Sequence, residues 1–284
     1  MRVLVMIDGG TGAVTVADPD LPQLRVDELG VLRGDGVFET ILVVDGRPRE
    51  LDPHLDRLDR SAAMLQLPRP DRAAYRRAVA EVLDRWPTGE VALRLVHTRG
   101  LESGGAPTGF ALASEVAPKV RVARETGVAV LTLDRGYHPD VVAASPWLLL
   151  GAKTLSYAVN MAAIRHAELH GADDVIFLAA DGSVLEGPTS TVVVVHGRTL
   201  RTTPASVGIL PGTTQAALFR AAESAGLFTK VEPLTTADLF DADGVFLASS
   251  VRRVTRVHTI NGESLVDSSE LHGELASMYE GLYR

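Results

Sequence analysis

Residues Leu148–Asn160 read LLLGAKTLSYAVN, and the lysine at their centre decides how the chain is understood. Trp147 to Ala152 has the apolar character of a buried strand end. From Thr154 the run TLSYAVNMAAIRHAELHG has a helical pattern, closed by Gly171. Lys153 is therefore expected between a buried strand and a helix start. Most lysines are solvated, and a surface lysine at a helix end is the ordinary reading. Burial and the positive end of the helix both disfavour a protonated amine, however. A lysine held partly neutral is a nucleophile able to form a Schiff base.

On either side of this stretch the pattern alternates between strands and helices. RVLVMID is a strand, and VFETILVVDGRPRE carries a hairpin signal at Asp45-Gly46. DPHLDRLDRSAAMLQL repeats Leu55, Leu58, Ala62 and Leu65 at helical spacing. Asp71 caps a second helix that is expected to stop at Pro87, and EVALRLVHTRG reads as a strand. Beyond Thr126, VAVLTLD, DDVIFLAADGSVLEG, STVVVVHGRTL, DGVFLASS and VTRVHTI read as strands and hairpins, the second turning at Asp181-Gly182. TTQAALFRAAESAG reads as a helix. The apolar run Thr191–Val195 points to a strand covered on both faces. The fold class is α/β in two domains: 1–117, a polar linker at 118–126 containing Pro118, and 127–284.

The 284 residues suffice for two cores, and 46% apolar with 23% charged residues is ordinary for a soluble protein. A net charge of −8 argues against nucleic acid as a partner. It leaves room for a small anion in a locally basic pocket. The chain has no cysteine, which excludes disulfides, thiolate metal sites and cysteine nucleophiles. Its histidines show no metal-ligand spacing, so no metal is expected. MRVLVMIDGG is too short and too soon interrupted to be a signal peptide, and no apolar run approaches the about 18 residues of a membrane span. A cytoplasmic enzyme without a membrane partner is expected.

Other candidates are individually weak. Glu186, before Gly187-Pro188, is on its own an ordinary hairpin-end carboxylate. Thr213 and Thr214 follow Gly212 at a helix start, either a plain cap or an anion site. Ser249-Ser250 end a strand and precede Arg252, and Arg57 lies on a helix, where arginines are usually solvated.

Their order along the chain is more specific. A lysine, then EGPTS, then GTT, then FLASS, together with RGDGVFET (Arg33–Thr40) and HLDRLDRSA (His54–Ala62), resembles the fold-type IV pyridoxal-phosphate enzymes over nearly the whole chain. That family includes branched-chain and D-amino acid aminotransferases and 4-amino-4-deoxychorismate lyases. The resemblance implies a small N-terminal α/β sandwich domain and a larger, barrel-like C-terminal domain. It implies pyridoxal 5'-phosphate as cofactor and a homodimer. It assigns Lys153 to the cofactor carbonyl, Glu186 to the pyridine nitrogen, Arg57, Thr213, Thr214 and Ser250 to the phosphate, and Tyr157 to the ring hydroxyl.

KTLSYAVNMAA and RGDGVFET look most like the actinobacterial lyases, which eliminate pyruvate to give 4-aminobenzoate for folate biosynthesis. Phe38 stands where D-amino acid enzymes commonly have a tyrosine. Arg33, Arg99 and Arg252 are candidate ligands for the two substrate carboxylates. The alternative is a D-amino acid or branched-chain aminotransferase. VHTRG favours it, because it resembles a stretch whose arginine, here Arg99, binds the substrate's α-carboxylate in D-amino acid aminotransferases.

Overall fold

The computed structural model describes residues 1–86 and 88–284, so Pro87 lies outside the described residues. The first of two units comprises residues 1–117 and 152–157. Its strands are β1 (Arg2–Asp8), β2 (Val14–Ala17), β3 (Gly36–Val44), β4 (Arg47–Pro48), β5 (Glu90–Thr98) and β6 (Thr108–Glu115). They form one antiparallel sheet in the order β2-β1-β6-β5-β3-β4. Asp45 and Gly46, at φ 47° and 73°, make the expected turn between β3 and β4. After the short α1 (Leu29–Leu32), the helices α2 (Leu51–Met64) and α3 (Arg72–Arg85) cover one face. Asp71 caps α3 by accepting from the N–H groups of Ala73 and Ala74. Val37, Ile41 and Val43 of β3 point into a core with Leu55, Leu58 and Ala62 of α2, the stripe that the helical spacing announced.

The second unit comprises residues 118–151 and 158–284. It contains α4 (Pro118–Thr126), β7 (Val128–Asp134), α5 (Val141–Ala144), α6 (Ala158–Leu169), β8 (Asp174–Leu178), β9 (Thr191–His196) and β10 (Thr199–Thr202). These are followed by α7 (Thr213–Ser224), β11 (Phe228–Val231), α8 (Thr236–Phe240), β12 (Gly244–Ser249), β13 (Arg253–Ile260), β14 (Glu263–Ser264) and α9 (Ser269–Gly281). The mixed sheet runs β11-β10-β9-β12-β13-β7-β8, with β14 on β13. β9 is covered on both faces as its composition implies. Val192 and Val194 pack with Leu234, Leu239 and Val257, and Val193 and Val195 pack with α7 and α9.

Two expectations are corrected here. Residues 118–126 are a helix rather than a linker, because Pro118 occupies its first turn, where a missing N–H costs nothing. Ala123 packs against the core that contains Val128 and Val257. Nor does a buried strand precede Lys153. Pro146–Leu148 form a 3-10 turn with Trp147 72% and Leu148 48% exposed, and the helix begins only at Ala158. No helix among the described residues is long and apolar enough to cross a membrane.

Candidate active site

Lys153 owes its place to β3. Residues 152–157 pass along the open edge of that strand's first half. Phe38 N–H donates to the Lys153 carbonyl (3.1 Å) and Leu155 N–H donates to the Gly36 carbonyl (2.8 Å). Thr154 thereby bridges Val37 in antiparallel register. The glycines of RGDGVF permit the approach. A Cβ on Gly34 would lie 3.2 Å from the Ser156 backbone, and one on Gly36 would lie 2.7 Å from Leu155 Cδ1. The lysine is thus on an extended segment, and no helix start adjoins it. Two aromatic rings lie near its amine: Nζ is 4.5 Å from the Phe38 ring centroid and 5.6 Å from that of Tyr157. The two rings meet edge to face at 5.3 Å. The structure therefore brings together Lys153, Phe38 and Tyr157.

Helix α2 supplies a second, polar stripe beside its apolar one. His54, Arg57 and Ser61 recur at i, i+3 and i+7, and all three are buried. Ser61 Oγ accepts the Lys153 main-chain N–H at 3.0 Å. Arg57 grips Glu39 of β3 bidentately, with Nε to Oε1 and Nη2 to Oε2 both 2.7 Å. His54 Nδ1 lies 2.7 Å from the same Oε2. Burial pushes the Glu39 carboxyl up, but the Arg57 charge, its two hydrogen bonds and His54 outweigh this and hold it down at about 2. Burial lowers the His54 pKa; Glu39 opposes the shift, and the charges of Arg57 and Lys153 add to it.

The other arginines of this unit are placed differently. Arg99 is held by structure on one side: Nε donates to Asp35 Oδ2 (2.6 Å), Nη2 to the Leu65 carbonyl (2.9 Å) and Nη1 to the Gln66 carbonyl (3.1 Å). It ties the carbonyls at the end of α2 to the loop before β3. Arg33 is exposed and only loosely paired, 3.7 Å from Glu102.

In the second unit, Glu186 follows a short return of the chain along β8, with Leu185 N–H on the Phe177 carbonyl and Phe177 N–H on the Glu186 carbonyl. Its Oε2 accepts the Leu210 N–H at 3.1 Å. Tyr137 is close enough to feel it. Burial and then the Glu186 charge push the phenol up to about 12, against the pull of Arg135. Asn160 Nδ2 donates to the Pro188 carbonyl (2.7 Å) and steadies the turn after Glu186. Thr213 and Thr214 are the first, buried residues of α7, whose cap Gly212 has no side chain to occupy the helix's positive end. Ser250 lies in the turn from β12 to β13, whose Val251 carbonyl is held by Arg124 Nε (3.1 Å) and Nη2 (2.5 Å). Arg252 lies 2.6 Å from the buried Asp174, close as an ion pair though not aligned as a hydrogen bond. Among the described residues, no group of three or more potential ligands could hold a metal.

Glu39, His54 and Ser61 were not singled out in the sequence, although a signal existed: Glu39 falls between Val37 and Ile41, on the phase of β3 whose other positions are apolar. The Leu210 N–H carries none, since every residue but proline has one.

Residues 36–260 match the class IV amino-transferase family, a family of enzymes to which the chain belongs. It is 46% identical over 273 residues, 93% of each chain, to a bifunctional aminodeoxychorismate lyase / D-amino acid transaminase of Mycobacterium tuberculosis. A PLP-bound hypothetical aminotransferase from Mycobacterium tuberculosis is 45% identical, with a TM-score of 0.92 over 99% of this chain and 100% of that one. The fold IV-transaminase CpuTA1 from Curtobacterium pusillum is 42% identical, with a TM-score of 0.92 over 98% of this chain and 99% of that one.

The Glu39 cluster sets a pH dependence of stability. The carboxyl falls from an ordinary 4.5 to about 2 on folding, so its contribution is complete above pH 4.5 and is lost as the pH falls toward 2. The amount is about 3 kcal/mol. His54, lowered on folding, acts in the same direction below pH 6.5, because the unfolded chain binds the proton first. Urea unfolding followed across this range is expected to show the acid loss. In Glu39→Gln the part between pH 4.5 and 2 is expected to be much reduced.

Proposed function

We propose that the chain is a pyridoxal 5'-phosphate enzyme that removes pyruvate from 4-amino-4-deoxychorismate and leaves 4-aminobenzoate. The donor set fits such a cofactor. A carboxylate, Glu186, suits a protonated pyridine nitrogen. The positive start of α7 with Thr213 and Thr214, and the hydroxyl of Ser250, suit a phosphate dianion. Arg57 is a second phosphate ligand, Tyr157 a partner for the ring hydroxyl, and Lys153 the amine for the cofactor carbonyl. When bound, the cofactor supplies an electron sink for the carbon that carries the substrate nitrogen.

The chain's own residues then handle protons and position. Lys153 Nζ takes the proton from the amine-bearing carbon and delivers it to the departing enolpyruvyl group, which leaves as pyruvate. Phe38 and Tyr157 set the amine's place, the ring centroids lying 4.5 Å and 5.6 Å from Nζ. Arg33, exposed and loosely paired, is the arginine best suited to a substrate carboxylate.

The observation that carries the choice of reaction is the engagement of Arg99. The strongest argument for an amino-acid substrate was this arginine as an α-carboxylate ligand, and most of its donors face Asp35 and the end of α2. D-amino acid transamination is the second reading, supported by the name of the relative that carries both activities.

The assay supplies 4-amino-4-deoxychorismate to the loaded enzyme and follows pyruvate and 4-aminobenzoate, with D-alanine and 2-oxoglutarate in parallel tubes. Equal release of both products is expected, and Lys153→Ala is expected to abolish it. Keto acid from D-alanine without lyase products would favour the second reading. The proposal includes a homodimer, in keeping with the exposed Leu21, Leu24, Val26, Val31 and Leu32. Sedimentation is expected to give twice the chain mass, and a monomer at micromolar concentration would contradict it.

A further inference from the structure

Glu39 has no evident reason to be where it is. It lies between Val37 and Ile41 on the core face of β3, with both neighbours fully buried. A buried arginine–carboxylate pair is seldom a net source of stability: apolar residues of similar volume often serve as well or better. The geometry is nevertheless tightly specified. Both carboxylate oxygens are used by one edge of the Arg57 guanidinium, the edge formed by Nε and Nη2, at 2.7 Å each. His54 Nδ1 closes on the same Oε2 from one helical turn earlier, and its distance to Arg57 Nη2 is 3.5 Å. A planar guanidinium held bidentately along one edge has its rotation fixed.

The same face of α2 also fixes the lysine's main chain. Ser61, one turn beyond Arg57, accepts the Lys153 N–H. Glu39 itself is one residue from Phe38, whose N–H holds the Lys153 carbonyl and whose ring faces the amine. One strand and one helix therefore set both the arginine and the lysine.

We propose that Glu39, backed by His54, is a positioning residue that orients Arg57 toward the phosphate of the cofactor. The inference rests on the cofactor reading given above. It assigns Glu39 no contact with substrate or cofactor: its action passes through the guanidinium.

The test compares binding of pyridoxal 5'-phosphate and of pyridoxal, which lacks the phosphate, to the cofactor-free protein, read by absorbance. In Glu39→Gln the affinity for the phosphorylated form is expected to fall about tenfold or more, the scale of one misdirected charge-assisted contact. Affinity for pyridoxal is expected to stay within about twofold. In Arg57→Met the same selective loss is expected, and Glu39→Gln added to Arg57→Met is expected to cost nothing further. Should Glu39→Gln fail to fold, Glu39→Asp keeps the charge balance but draws the guanidinium back, and the same selective loss is expected. Equal weakening of both probes, or no change in either, overturns the positioning role while leaving the cofactor reading intact. If the unaltered chain takes up neither probe, the cofactor reading itself fails.

Discussion

Two main-chain hydrogen bonds, between Phe38 and Lys153 and between Leu155 and Gly36, carry the chemistry onto the first sheet. They lay six residues from the middle of the sequence against the edge of β3, with Thr154 bridging Val37. Without them Lys153 would sit in an exposed connection, since Trp147 and Leu148 just before it are largely open to solvent. With them its amine lies over Phe38, its carbonyl and N–H are both engaged, and its neighbour Tyr157 completes an aromatic pair. The glycines of RGDGVF follow from this constraint, because side chains at Gly34 and Gly36 would collide with Ser156 and Leu155. So does the clustering by which residues 152–157 belong with the N-terminal unit although the chain on both sides belongs to the other.

The polar stripe of α2 extends the same logic inward. A helix that needed only to cover a sheet would carry Leu55, Leu58 and Ala62 and nothing else at the interface. This one also buries His54, Arg57 and Ser61, each with a partner on β3 or on the lysine segment. Burying ions is costly unless every group is met, and here Glu39 meets Arg57 and His54 together. The acid-sensitive core and the fixed arginine are two consequences of one arrangement.

Most of the fold was legible because its signals are local. The Asp45-Gly46 turn, the double-sided valines of β9, the cap at Asp71 and the apolar stripe of α2 each lie within a few residues. What was not legible depends on partners distant in sequence. The environment of Lys153 is set by β3, over a hundred residues earlier, so an apolar run beside it was mistaken for burial. Pro118 signals a helix start as readily as a break. The arginines were hardest of all. Nothing near Arg99 or Arg252 in sequence announces Asp35 or Asp174, and a bound arginine reads the same as an available one. The family was recognisable from the order of the lysine, EGPTS and GTT, whereas Glu39 passed unremarked inside RGDGVFET.

The claim on which everything else rests is that Lys153 is the cofactor's attachment point, and the composition makes this easy to examine. The chain has three lysines, Lys119, Lys153 and Lys230, of which the first and last are exposed. Reducing the protein with borohydride in the presence of pyridoxal 5'-phosphate fixes the cofactor to whichever lysine holds it, and peptide mass spectrometry locates the mark. The account predicts stoichiometric modification of Lys153 with Lys119 and Lys230 unmarked. Modification spread over the two exposed lysines, with Lys153 untouched, would contradict it.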